Sequence, residues 1–199
     1  EEISRFTRVV YSSAVSPENE LLVAAREAGL PCLRRGEMLA EIAAGKKLIA
    51  VVGSHGKTTT AGMIAHGLRH NDIEANYIIG GLFAQDAHAP ASYAAASDWL
   101  VAEIDESDGT IDSFGPEITL VLNIDWDHAD RYETVDELEQ VFARLIERTR
   151  GQVILPQVLV DRFDASAAIE VFDSRCLRVG MEAARHGRFN TMNGDAAAA

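Results

Sequence analysis

The most constraining feature of the chain is the run Gly53-Ser54-His55-Gly56-Lys57-Thr58-Thr59, set between an apolar segment, 48–52, and a helical pattern over about 57–70. A continuous apolar run of that kind reads as a strand buried on both faces, as in a parallel sheet. The glycines let the backbone turn so that successive N–H groups face an anion, and the following helix adds the positive end of its dipole. Phosphate is the anion that a strand, such a turn and a helix accommodate. Lys57 is placed to reach β- and γ-phosphates, and the Thr58 hydroxyl to ligate Mg2+. The loop is shorter than the common GxxxxGK[ST] pattern, because Gly53 stands three residues before Gly56. Lys57 is one of three lysines, with Lys46 and Lys47.

The remaining pattern alternates short β-rich runs with helical ones, which predicts an α/β fold with a doubly wound, mostly parallel sheet and right-handed crossovers. Strand candidates are Val9-Val10-Tyr11, Tyr77-Ile78-Ile79, 99–104, 118–124, Val153-Ile154-Leu155 and Val158-Leu159-Val160. A helix is expected over 17–28, with Leu21, Leu22, Ala25 and Ala28 on one face, and another over 37–44. The helix over 135–148 carries the clearest signals. Thr134 and Glu137 form a capping box, and Val135, Leu138, Val141, Phe142 and Leu145 make a buried stripe.

Composition narrows the partners. Acidic residues outnumber basic ones, 31 to 18, for a net charge of −13. That balance argues against nucleic acid and anionic membranes, whose affinity for proteins comes mainly from Lys and Arg. No apolar run approaches the length needed to span a bilayer. The acidic start Glu1-Glu2-Ile3 does not resemble a signal peptide. Cys32 and Cys176 form no metal or redox spacing and read as free thiols of a reducing compartment. The expectation is a soluble, cytoplasmic protein.

Two polar clusters follow predicted strands. Glu103-Ile104-Asp105-Glu106-Ser107-Asp108 emerges at the C-terminal end of one, the edge at which open α/β sheets bind ligands. Mg2+ is commonly held by one or two carboxylates plus substrate phosphates, and Glu103 or a neighbour suits that role. Asn123-Ile124-Asp125-Trp126-Asp127-His128-Ala129-Asp130 repeats the arrangement, and places His128 between two aspartates as a metal or phosphate candidate.

These motifs, in this order, resemble those of the Mur ligases, the ATP-dependent amide-forming enzymes of peptidoglycan precursor synthesis. The resemblance extends to Gly187-Arg188-Phe189-Asn190-Thr191-Met192-Asn193, and ahead of the loop to Tyr11-Ser12-Ser13-Ala14 and Arg34-Arg35-Gly36-Glu37-Met38-Leu39. Within the family these last runs are most similar to the members that join L-alanine to UDP-N-acetylmuramate. The resemblance implies that Gly53, Ser54, His55, Gly56, Lys57, Thr58 and Thr59 hold the phosphates of ATP, and that Asn190 and Asn193 contact its adenine. It also implies Mg2+ on Thr58 and Glu103, a metal near the γ-phosphate supported by His128, and Gly80-Gly81 close to the sugar nucleotide. Lys57, Glu103 and His128 are then the catalytic set. The implied substrates are UDP-N-acetylmuramate and L-alanine, joined through an acyl phosphate, with no nucleic acid and no membrane insertion.

On the same resemblance, 1–47 is part of an N-terminal UDP-sugar-binding domain and 48–199 the central ATP-binding domain. The family's C-terminal domain is expected to be absent. Phe189 stands where the family usually has histidine. No lysine follows Lys57, so the carbamylated lysine of several relatives has no counterpart. Two other readings stay open: a recycling ligase that adds a preformed murein tripeptide to UDP-N-acetylmuramate, and a non-ligating nucleotide-binding module. Lys57→Ala is expected to lower turnover at least about 100-fold with the fold intact.

Overall fold

The computed structural model describes residues 3–82, 89–125, 132–163 and 167–172. Two sheets are present among them, one parallel and one mostly parallel. The smaller joins β1 (Val9–Tyr11) to β2 (Cys32–Arg34), with α1 (Glu20–Glu27) as the crossover. Then α2 (Arg35–Ala43) leads into the main sheet, which starts at β3 (Lys47–Val52).

After β3 come α3 (Lys57–His70), β4 (Asn76–Ile78), β5 (Ala91–Ser92), β6 (Trp99–Glu103), β7 (Ile118–Val121), α4 (Val135–Glu147), β8 (Gln152–Pro156) and β9 (Ala168–Phe172). The strand order is β5-β4-β6-β3-β7-β8-β9, and only β5 runs antiparallel to its neighbour. The doubly wound α/β expectation therefore holds. The chain leaves β3 toward β4 on one side and leaves β7 toward β8 on the other. The crevice between the ends of β3 and β7 is thus a topological switch point, where sheets of this kind bind ligands.

Strand alternation sends side chains to two cores. Leu48, Ala50 and Val52 of β3 join Leu100 and Ala102 of β6 under α4, while Val51, Val101 and Ile154 pack under Ala61 and Ala65 of α3. The two helices thus cover opposite faces. On α4 the buried stripe is Leu138, Val141, Phe142, Leu145 and Ile146, each side chain contributing about 1.5–3 kcal/mol of burial. Val135 is not part of it. It lies one turn before Leu138, at the helix start, and is 36% exposed, while Ile146 fills the face instead.

The N-terminus of α4 differs slightly from a capping box. Thr134 Oγ1 accepts the Glu137 N–H at 3.2 Å, but the Glu137 carboxylate accepts from the N–H of Glu133, one residue upstream of the cap. Thr134→Ala is expected to lower stability by about 1 kcal/mol, read as a shift of the urea midpoint at unchanged slope. At the helix's far side Arg144 and Arg148 flank Asp112, and their guanidinium groups hold its carboxyl below the usual range.

Other expectations shift for local reasons. On α1 only Leu22 and Ala25 are buried; Leu21 and Ala28 face outward, because a two-stranded sheet offers a narrow surface. Val158-Leu159-Val160 is not a strand. Pro156 ends β8, and Gln157–Arg162 forms a 3-10 helix that buries Leu159 in the core and packs the half-buried Val160 against it. Cys32 is a free, half-buried thiol in β2, and Cys176 lies outside the described residues. Among the described residues no helix is long and apolar enough to cross a membrane.

Candidate functional site

The turn after β3 is held by the tail of β7. The Ser54 N–H donates to the Asn123 carbonyl at 3.2 Å, and the His55 N–H to Asn123 Oδ1 at 2.8 Å. In return Asn123 Nδ2 donates to the His55 carbonyl at 3.0 Å. Ser54 Oγ donates to the Asp125 carbonyl at 2.7 Å and accepts the Asp125 N–H at 2.9 Å. Gly53 has φ +139°, and a Cβ there would stand 3.0 Å from the Asn123 carbonyl oxygen, so both conformation and space require glycine. Gly56, at φ +84°, caps α3 in the left-handed region.

These bonds set which donors an anion can use. The Ser54 and His55 N–H groups are committed to Asn123 and shape the loop. The first turn of α3 leaves the N–H groups of Lys57, Thr58 and Thr59 without intrahelical acceptors. An anion seated there also meets the positive end of the α3 dipole.

The four carboxylates at the end of β6 and just after it have separate tasks. Glu103 Oε2 accepts from Thr58 Oγ1 at 2.6 Å. Asp105 accepts from the N–H and Oγ of Ser107 at 2.8 and 2.7 Å, and Asp108 from the N–H and Oγ1 of Thr110 at 2.8 and 2.5 Å. Glu106 is fully buried and takes Lys57 Nζ at 3.0 and 3.2 Å, while the Gly53 carbonyl accepts from the same ammonium at 2.7 Å. The Tyr132 hydroxyl donates to the Glu106 carbonyl and fixes the turn. Sequence reasoning singled out neither Glu106 nor Asn123. Only burial separates Glu106 from its acidic neighbours, and only register brings Asn123 to the loop.

Gly80 and Gly81 close over the Thr58–Glu103 pair. A Cβ on Gly80 would overlap Glu103 Oε1, and one on Gly81 would stand 2.8 Å from Thr58 Cγ2. Beside them lies a cavity of about 470 Å3, lined by Lys57, Thr58, Glu103 and Asp105 and by Met38 and Leu39 of α2. Arg34 ties α2 to this region by donating to the Asp108 carbonyl at 2.8 Å. Among the described residues no group of three or more His, Cys, Asp or Glu is arranged to hold a metal. Thr58 and Glu103 instead present two hard oxygens side by side, which fits Mg2+ completed by phosphate and water oxygens.

Of the residues expected from sequence, the structure brings together Lys57, Thr58, Glu103, Gly80 and Gly81. His55 is half exposed, with Nε2 3.9 Å from Asp125 Oδ2. His128, Asn190 and Asn193 lie outside the described residues.

Residues 51–191 match the Mur ligase middle domain, and residues 1–47 match the Mur ligase family catalytic domain. The chain belongs to the Mur ligase family. It is 36% identical over 192 residues to the UDP-N-acetylmuramate–L-alanine ligase of Saccharopolyspora erythraea, covering 96% of this chain and 37% of that protein. The ligase of the same name from Gloeobacter violaceus is 38% identical over 150 residues, 75% of this chain and 32% of that one. The chain thus spans about a third of the length of these curated relatives. The fold is also that of the UDP-N-acetylmuramate:L-alanyl-gamma-D-glutamyl-meso-diaminopimelate ligase from Neisseria meningitides, with a TM-score of 0.79 at 20% identity. That likeness covers 98% of this chain and 74% of the other.

In a Mur ligase middle domain, the contact of Gly80 with Glu103 makes a direct expectation. Gly80→Ala should push the Glu103 carboxylate off Thr58. Nucleotide binding in Mg2+ should weaken by about tenfold, with little change in melting temperature because Gly80 is exposed.

Proposed function

We propose that this chain supplies the ATP site of a ligase that joins L-alanine to UDP-N-acetylmuramate in peptidoglycan precursor synthesis. The observation that carries the reading is the Thr58–Glu103 pair beside Lys57, at the mouth of a Mur ligase middle domain. The name shared by the curated relatives supports the choice of substrates. Residues 1–47 would belong to the UDP-sugar-binding domain and 48–199 to the ATP-binding domain, in a cytoplasmic enzyme without nucleic-acid partners.

In this reading a carboxylate of the sugar nucleotide attacks the γ-phosphorus, ADP leaves, and an acyl phosphate forms. The amino group of L-alanine then attacks the acyl carbon, phosphate leaves, and the amine loses a proton. The first step brings anions together, so it needs positive charge already in place. Lys57 and the amides of the first turn of α3 hold the polyphosphate. Thr58 and Glu103 would hold Mg2+, whose chemistry is to neutralise phosphate charge and to orient the γ-phosphate. Asn123 and Asp125 keep the loop rigid, which supplies the positioning that phosphoryl transfer depends on. His128 would support a metal near the γ-phosphate, Asn190 and Asn193 would contact the adenine, and Gly80-Gly81 would approach the sugar nucleotide.

The test is ligation by the native protein, with ATP, Mg2+ and UDP-N-acetylmuramate offered either L-alanine or murein tripeptide. The expected product is the sugar nucleotide heavier by one alanyl residue, formed with one ADP. Product with tripeptide alone would move the assignment to the recycling ligase. A preference for GTP, with no product from either acceptor, would move it to the nucleotide-binding module.

A further inference from the structure

Of the four carboxylates at the end of β6 and just after it, only Glu106 is fully buried, and it lies against the lysine of the phosphate loop. An ammonium has three protons. The Gly53 carbonyl accepts at 2.7 Å and the two Glu106 carboxylate oxygens at 3.2 and 3.0 Å, so three acceptors hold the ammonium at the edge of the cavity that Lys57 lines. The Glu106 backbone cannot easily follow a moving lysine, because the buried Tyr132 hydroxyl is bonded to its carbonyl.

A carboxylate with no exposure is strongly penalised when its partner leaves. The pair therefore persists when a polyphosphate arrives, and the phosphates meet Lys57 as half of a neutral pair. We propose that Glu106 is a positioning residue that keeps Lys57 in place and offsets its charge, so that the loop binds nucleoside polyphosphates less tightly than an unpaired lysine would. This rests on the reading of the loop as a nucleotide site. The consequence for turnover is release: affinity that is equal for substrate and product would only slow the departure of ADP.

The test is a calorimetric titration of Mg2+-ADP and Mg2+-ATP into the chain and into Glu106→Gln. The substitution keeps shape and hydrogen-bonding oxygen but removes the counter-charge. It is expected to tighten binding of both nucleotides by about tenfold or more, the effect of one unit charge at short range in surroundings less polar than bulk water. A merely structural role for Glu106 can lower apparent affinity through unfolding but cannot raise it. Unchanged or weaker binding by Glu106→Gln, with normal binding by the unsubstituted chain, overturns the proposal and leaves the nucleotide site standing. No binding by the unsubstituted chain overturns both.

If Glu106→Gln does not fold, the unsubstituted chain carries the test. Its three lysines make the Lys57 ammonium assignable by nitrogen NMR. That signal is expected to stay protected from exchange, and coupled to the Glu106 carboxylate, after saturation with Mg2+-ADP. Loss of the coupling on binding would contradict the proposal.

Discussion

Lys57→Ala is expected to abolish measurable nucleotide binding and to lower the stability of the chain by up to about 3–5 kcal/mol, the usual range for removing one partner of a buried ion pair. The sequence alone suggested that such a variant would keep its fold. Glu106, with no exposed side-chain surface on Lys57, changes that expectation. In the proposed reaction the loss of function, at least about 100-fold, follows from removing the cation that would face the developing phosphate charge. The two effects separate in the double variant Lys57→Met with Glu106→Gln. Removing both charges should restore most of the urea midpoint without restoring binding. If Lys57→Ala unfolds at the same urea concentration as the unsubstituted chain, the pair is not the buried compensation described here.

Glu103→Gln is expected to act on binding and to spare the fold. Glu103 stands at the exposed end of β6 and is only partly buried, so the change of charge there has little effect on the core. Its carboxylate meets the Thr58 hydroxyl at 2.6 Å, and the glutamine oxygen can accept the same bond. What disappears is the anionic oxygen proposed to hold Mg2+. The strengthening of ATP binding by Mg2+ should fall by about 100-fold, while binding measured without Mg2+ stays within about threefold. Equal Mg2+ dependence in the two proteins would remove Glu103 from the metal site. Gly80→Ala, which displaces the same carboxylate by contact rather than by chemistry, should shift binding in the same direction by a smaller amount.

The parts of the fold that were readable from sequence are those in which local signals agree. Helix α3 runs from Lys57 to His70 as expected, because a left-handed glycine marks its start and an uninterrupted helical pattern follows. Helix α4 begins at a threonine cap and carries strongly periodic apolar residues. Short or exposed elements gave no such signal. Strand β2 is three residues long, and most of β9 is exposed, so neither shows the alternation of a half-buried strand. Val158-Leu159-Val160 has strand-like composition, but Pro156 ends the sheet just ahead of it.

The candidate site divides in the same way. Lys57, Thr58 and Glu103 are legible because their residue types and their places, at a helix start and a strand end, point to one chemistry. Glu106 is not, since four carboxylates in six positions look alike until one of them is buried. Asn123 is a similar case. Its side chain reaches His55 only because β3 and β7 are neighbours in the sheet, a pairing that no local pattern encodes.

The measurement that tests the central claim most directly is a calorimetric titration of the chain with ATP, in the presence and absence of Mg2+, with GTP as control. Saturable ATP binding at one site, strengthened by Mg2+ and not matched by GTP, is the predicted result. Equal or tighter binding of GTP, or ATP binding indifferent to Mg2+, would contradict the assignment of Lys57, Thr58 and Glu103 to one ATP-binding centre.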